Sequence, residues 1–140
     1  LDTCRELGVL FVAYSPLGRG FLTGRIKSRE DLAENDYRRS NPRFSEANFG
    51  KNLELVAEVQ KLADKRGCTA AQLALAWVLT RGDHVVSIPG TRSLERLAEN
   101  AAAADVTLSD EEFATIDEIL PLDAAAGGRY DAGGMASVDG

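Results

Sequence analysis

The chain has 140 residues, 44% of them hydrophobic, with a formal net charge of −6, one His and two Cys. That length suits one domain with its own core, and the acidic balance argues against a nucleic-acid partner, whose phosphates would repel it. No apolar run approaches the ~18 residues of a membrane span, no basic-then-apolar leader opens the chain, and two cysteines make no disulfide framework. Cys4 and Cys68 therefore read as reduced thiols. The expected location is cytoplasmic, with neither nucleic acid nor membrane as partner. A single histidine and no Cys/His cluster leave no zinc-ligand spacing.

In chain order, Leu1 to Leu7 reads as the tail of a helix with Gly8 as its C′ residue, so the chain is expected to begin inside an element. Val9 to Tyr14 is a continuous apolar run with β-branched and aromatic residues, the pattern of a strand buried on both faces of a parallel sheet. Ser15 to Gly24 follows at that strand's C-terminal end, where α/β folds bind ligands, and its glycines allow close backbone approach. Residues 25–48 are long and polar and read as a loop, with a short helix expected over Asp31 to Arg39.

Phe49 to Arg66 is an amphipathic helix, with Leu53, Val56, Val59 and Ala63 on one face and Gly67 ending it. Thr69 and Gln72 form a capping box for a helix over Ala70 to Thr80, apolar nearly all round and centred on Trp77. His84 precedes the β-branched run Val85 to Ile88 at its N-terminal edge, opposite the edge where barrel chemistry lies, and reads as structural. Pro89-Gly90 stops that strand. Thr91 or Ser93 caps a helix from about Leu94 to Ala104, whose free N–H groups and dipole favour an anion at its start. Arg92 and Arg96 stand at the same end and suit phosphate oxygens. An ordinary βα turn with solvated arginines gives the same pattern. A second capping box, Ser109 with Glu112, opens a helix with Phe113, Ile116, Ile119 and Leu120 on one face, closed by Pro121. Residues 122–140 are rich in Gly, Ala and Asp and are expected to be a flexible tail.

Two stretches go further. Ile88-Pro89-Gly90-Thr91-Arg92 with Glu99-Asn100, and Val12-Ala13-Tyr14-Ser15-Pro16-Leu17-Gly18-Arg19-Gly20-Phe21-Leu22-Thr23-Gly24, resemble the C-terminal half of the aldo-keto reductase family, in the family's order. The resemblance implies an α/β fold that is the C-terminal part of a (β/α)8 TIM barrel, its last two strands with their helices. The barrel is incomplete in this chain, because such a barrel takes about 250 residues. Residues 1–140 would be the cofactor-binding part of an NADP-dependent oxidoreductase that reduces aldehydes or ketones to alcohols with NADPH.

By the same resemblance, Tyr14 stacks on the nicotinamide, while Ser15, Pro16, Leu17 and Gly18 line the pyrophosphate. Gly90, Thr91, Arg92 and Arg96 belong to the 2′-phosphate site, with Gly90 standing where other members carry a lysine. Glu99 and Asn100 hold the adenine end. The stretch from Arg38 to Phe44 resembles a segment that folds over cofactor and substrate, and Gly128-Arg129-Tyr130 and Met135 have counterparts in the family's tail. The family's catalytic Asp, Tyr, Lys and His match no residue here, so no catalytic residue is named. The implied partners are a small carbonyl substrate and either the missing N-terminal half or a second copy. Three readings stay open: part of an NADPH-dependent reductase, a truncated protein that binds nucleotide or partner chains without catalysis, and another half barrel with a phosphate site after its last two strands.

Overall fold

The computed structural model describes residues 1–138. Two short strands, β1 (Phe11–Ala13) and β2 (Val85–Ser87), pair in parallel with Phe11 opposite Val85, Val12 opposite Val86 and Ala13 opposite Ser87. The ladder is bounded by Phe11 N–H donating to the His84 carbonyl (2.7 Å) and Ile88 N–H donating to the Ala13 carbonyl (3.3 Å). Both strands are shorter than the runs Val9–Tyr14 and Val85–Ile88 suggest, because pairing is confined to where the two overlap. α1 (Asp2–Glu6) precedes β1, and α4 (Leu94–Ala101) and α5 (Asp110–Ile119) follow β2. α2 (Glu46–Arg66) and α3 (Ala70–Leu79) fill the crossover that parallel pairing demands.

Helix boundaries follow local chemistry. Gly8 and Gly67 both take the left-handed conformation expected of a residue past a helix end, with φ of +65° and +73°. The capping boxes of α3 and α5 are both formed: Thr69 Oγ1 accepts from Gln72 N–H at 3.1 Å and Ser109 Oγ from Glu112 N–H at 3.2 Å. α2 begins at Glu46 rather than Phe49, because Asn41 caps a 3-10 turn over Pro42–Phe44 and the extended Ser45 leads straight into the helix. One buried face of α2 serves two cores. Val59 and Ala63 pack with Leu73 and Ala76 of α3, with Leu108 just before α5 and with Ile116 of α5. Phe49 and Val56 pack with Phe21, Ile26, Leu32 and Phe44. α3 and α5 are further joined by Trp77 Nε1, which donates to Asp117 at 2.7 Å, and by Arg81, which pairs with Asp117 and lies over the Trp77 and Phe113 rings.

The expected loop over 25–48 is a folded segment. The helix expected over Asp31–Arg39 is absent, and 3-10 turns stand at Arg29–Asp31 and Tyr37–Ser40 instead. The Asp31 carboxylate takes the N–H groups of Lys27 and Ser28, and Asp36 takes that of Arg38, so each short turn is capped separately. The Arg39 guanidinium donates to the carbonyls of Arg29, Leu32 and Ala33, satisfying oxygens that a continuous helix would have bonded. Leu32 and Phe44, each 1% exposed, anchor the segment in the core.

The sheet differs from its expected two-faced burial. Phe11, Ala13 and Val85 turn toward α3 and α5 and line an apolar groove with Trp77, Leu120 and Pro121. By strand alternation Val12 and Val86 face the other way, and they are exposed together with the flanking Leu10 and Ile88. Among the described residues no layer covers that face.

The tail over 122–138 is held by polar contacts. The buried Asn52 side chain donates to the Arg43 and Ala126 carbonyls (both 2.9 Å) and accepts from Ala126 N–H (2.8 Å). The buried Asn41 donates to the Arg129 carbonyl at 3.1 Å. Gly127 has φ of +91°, and a Cβ there would lie 2.7 Å from the Pro42 carbonyl, so the close approach requires glycine. A single turn, α6 (Ala132–Met135), ends the described tail. Asp139 and Gly140, which the flexible tail was expected to include, lie outside the described residues.

Replacing Asn52 with Ala removes all three of its bonds and leaves buried peptide groups unpaired. The expected result is a loss of roughly 1–3 kcal/mol in urea unfolding, with faster limited proteolysis between Pro121 and Tyr130.

Candidate functional site

Because β1 and β2 run in parallel, the segments that leave their C-terminal ends emerge on one edge of the sheet. The first is Tyr14 to Gly24 and the second Ile88 to Ser93. The family resemblance implied that these are the last two strands of one barrel, and the parallel pairing sets them side by side although residues 14–84 separate them.

In the first segment Ser15 and Arg19 adopt left-handed φ values of 49° and 59°, uncommon for residues with a Cβ, and Gly18, Gly20 and Gly24 adopt them too. The turn is closed by Gly18 N–H donating to Ser15 (2.9 Å) and Gly20 N–H to Leu17 (2.9 Å). The Leu17 N–H has no partner among the described residues. Arg38 holds this turn from outside: its Nη1 donates to the Arg19 carbonyl at 3.0 Å. The other donors of Arg38 engage Asp36, from Nη2 at 2.6 Å and Nε at 3.0 and 3.2 Å. Those bonds hold the Asp36 carboxyl down at about 2.

Tyr14 is half exposed. Its hydroxyl meets that of Tyr130 at 2.9 Å, and the Arg129 guanidinium lies 5.9 Å from its ring centroid. The Tyr130 pKa is raised, chiefly by the bond to Tyr14. The tail thus reaches the first segment, and Arg19 Nη1 donating to the Arg129 carbonyl at 3.1 Å adds to that contact.

In the second segment Thr91 Oγ1 accepts from Ser93 N–H at 3.1 Å and Ser93 Oγ from Arg96 N–H at 3.3 Å, so both expected hydroxyls serve the helix start. Gly90 and Arg92 are exposed, Thr91 half-buried. The N–H groups of Thr91 and Arg92 have no partner among the described residues. The side chains of Arg92 and Arg96 are exposed and carry no ion pair there. Glu99 is tied to both sides of the site: its carboxylate pairs with Arg25 at 3.4 Å, and its carbonyl accepts from Gln72 Nε2 at 3.2 Å. Asn100 is half-buried one turn after Arg96. Unpartnered N–H groups and free guanidinium groups along one edge are a donor set that fits the phosphates of a nucleotide.

The structure therefore brings Tyr14, Ser15, Pro16, Leu17 and Gly18 to the same edge as Gly90, Thr91, Arg92, Arg96, Glu99 and Asn100. Arg25 was not singled out by sequence, because an arginine in a polar segment has no spacing signal. Its ion pair with Glu99 is visible only in the structure. His84 lies at the opposite edge, with Nε2 3.3 Å from the Leu1 carbonyl. The described residues hold no metal-binding cluster and no helix long and apolar enough to cross a membrane.

These features are shared with known proteins. The sequence pattern of the aldo/keto reductase family matches residues 1–121. The chain is 44% identical over 139 residues to aldo-keto reductase str7 of Strobilurus tenacellus, covering 99% of this chain and 41% of that protein. It is equally 44% identical over 138 residues to aldo-keto reductase yakc [NADP(+)] of Schizosaccharomyces pombe, with the same coverage. The solved structure of the glycerol dehydrogenase AKR11B4 from Gluconobacter oxydans superposes with a TM-score of 0.78 at 32% identity, over 86% of this chain and 36% of that one. An α/β chain whose two-stranded parallel sheet fits part of a TIM barrel is the class that fold defines. The chain belongs to the aldo/keto reductase family. It spans about two fifths of the length of the curated relatives it matches.

The Asp36–Arg38 pair makes stability pH-dependent. A carboxyl held at about 2 against an ordinary 3.8 stabilises the fold above about pH 4, and that contribution is lost as pH falls toward 2. Asp36→Asn is expected to lower the urea midpoint at pH 6, with the gap to the parent shrinking below about pH 4 and closing only as pH falls through about 2. A gap that stays constant with pH would show that the carboxylate contributes nothing through its charge.

Proposed function

We propose that this chain carries the cofactor-binding part of an NADPH-dependent oxidoreductase that reduces aldehydes or ketones to alcohols, with the catalytic Asp, Tyr, Lys and His of the family lying in a part this chain does not contain. The observation that carries the reading is the parallel pairing of β1 and β2, which sets the Tyr14–Gly18 turn beside the Gly90–Asn100 turn and helix. The name of the S. pombe relative, which specifies NADP(+), points the same way.

On this reading each residue has a physical task. The half-exposed Tyr14 ring offers a flat face to the flat nicotinamide and excludes water from it. The Ser15–Gly18 turn presents the Leu17 N–H to the pyrophosphate, and Pro16 fixes the direction of the chain entering it. Thr91 and Arg92 N–H groups, with the Arg92 and Arg96 guanidinium groups, take the 2′-phosphate. Gly90 leaves that approach open, with nothing within 4 Å of where its Cβ would be. Glu99, steadied by Arg25, and Asn100 hold the adenine end. The cofactor, when bound, supplies the hydride. The exposed face with Leu10, Val12, Val86 and Ile88 is covered by the rest of the barrel or by self-association.

NADPH and NADH titrations followed by tryptophan and nicotinamide fluorescence test the reading. NADPH is expected to bind at least tenfold tighter than NADH, and Arg92→Gln and Arg96→Gln each to weaken NADPH about tenfold while leaving NADH unchanged. Equal affinity for the two cofactors, or equal losses for both in the variants, would remove these arginines from the 2′-phosphate. Sedimentation velocity is expected to show concentration-dependent association of the 140-residue chain; an invariant monomer would mean that the apolar sheet face needs no cover.

A further inference from the structure

Arg19, Arg43 and Arg129 come from three separate segments, the turn after β1, the turn before α2 and the tail, yet they meet around the Tyr14–Tyr130 hydroxyl pair. Arg19 Cζ lies 5.2 Å from the Tyr130 ring centroid and Arg129 Cζ 5.9 Å from that of Tyr14. Arg43 and Arg129 line one cavity of about 630 Å³ with the backbone of Gly127 and Gly128. Among the described residues none of the three guanidinium groups has a carboxylate within ion-pair distance. The nearby acids are otherwise placed. Asp36 is held by Arg38, Asp131 caps α6 through Gly134 N–H, and Asp123 lines the cavity without pairing.

Most of the donors are also uncommitted. Arg19 donates to the Arg129 carbonyl and Arg43 Nε to the Gly127 carbonyl at 3.4 Å, while the Arg129 guanidinium has no hydrogen-bond partner among the described residues. Each group carries five N–H donors in a planar fork matched to a carboxylate or phosphate. Burial lowers the Arg43 pKa, and repulsion from Arg19 and Arg129 lowers it further. Three like charges held together without a carboxylate in ion-pair contact are unfavourable, and an anion placed between them reduces that repulsion and engages the free donors.

We propose that Arg19, Arg43 and Arg129 form an anion-recognition site and that it takes the carboxylate or phosphate group of the carbonyl substrate. Small oxo acids and phosphorylated aldehydes are then the substrate class. The proposal rests on the carbonyl-reductase reading above. Arg129 and Tyr130 put the site against Tyr14, the ring assigned there to the nicotinamide, where a reacting carbonyl must come. It is separate from Arg92 and Arg96, which lie on the β2 side. Because Arg19 and Arg43 also hold the tail through its carbonyls, a bound anion tightens the tail over Tyr14. The same chemistry would accept the cofactor's pyrophosphate, since Arg19 follows Gly18 directly, and the test separates the two sources.

Calorimetric titration of the 140-residue chain with succinate and with inorganic phosphate, with and without saturating NADP+, decides it. Arg129→Gln is the informative variant, because its side chain donates no bond in the fold and its docking contacts run through the backbone carbonyl. Succinate and phosphate affinities are expected to fall about tenfold in Arg129→Gln and further in the Arg43→Gln double variant, with NADPH affinity unchanged. Arg43→Lys, which keeps the charge, guards against loss of fold in the double variant and should retain part of the binding. If NADP+ abolishes anion binding and Arg129→Gln weakens NADPH by the same factor, the arginines hold the pyrophosphate and the substrate-anion proposal is overturned. If neither anion binds the parent chain while NADPH does, the proposal falls and the cofactor reading stands. If succinate binding depends on Arg129 but NADPH does not bind, the anion site stands and the cofactor reading falls.

Discussion

Parallel pairing of two three-residue strands is the constraint on which the rest of the molecule depends. Parallel strands cannot be joined by a tight turn, so the chain must travel back along the sheet before β2 can lie beside β1. Residues 14–84 make that return, and nearly all of the buried apolar core lies within them or packs against them. Pairing in this direction also forces both following turns onto one edge. The register matters as much as the direction. A slip of β1 by one residue against β2 would turn Phe11 away from α3 and α5 and bring Val12 in beside Val85.

α2 is the element that ties the segments around this sheet together. Its apolar face joins two hydrophobic clusters, one with α3 and α5 and one with the Phe21, Leu32 and Phe44 side chains of the segment between β1 and α2. Its one buried polar side chain, Asn52, captures the tail. The segment that covers the turn after β1 is therefore not held by burial alone. It is held by side chains that capture backbone groups: Arg38 on Arg19, Arg39 on three carbonyls, and Asn41 and Asn52 on the tail. Such bonds are individually modest, and they hold one part-buried segment together.

The one-sided sheet stands beside a second fact, the length of the family's members. The curated relatives are more than twice as long as the part this chain matches. The uncovered face of β1 and β2, together with Leu94 and Leu97 of α4, is apolar surface of the kind that marks an interface. Within the chain the polar edge of the sheet is better built than this face: its turns are capped and its glutamate is paired.

The sequence by itself determined the local elements. Capping boxes at Thr69–Gln72 and Ser109–Glu112, the glycines ending α1 and α2, the apolar spacing of α2 and the two strand-turn motifs were all legible, because each depends on contacts within a few residues. The motifs around Tyr14 and Gly90 were legible as family signatures for the same reason. The segment over 25–48 was misread as open loop with a helix inside it, since only contacts with α2 show that Leu32 and Phe44 are core and that Arg39 closes the turns. The apolar run over Val9–Tyr14 suggested burial on both faces, but alternation cannot say which layers are present. The tail's docking, the Arg25–Glu99 pair and the approach of Arg129 to Arg19 and Arg43 join residues 70 or more positions apart. Only the tertiary structure could decide those, because they rest on the path of the chain through space and not on any pattern along it.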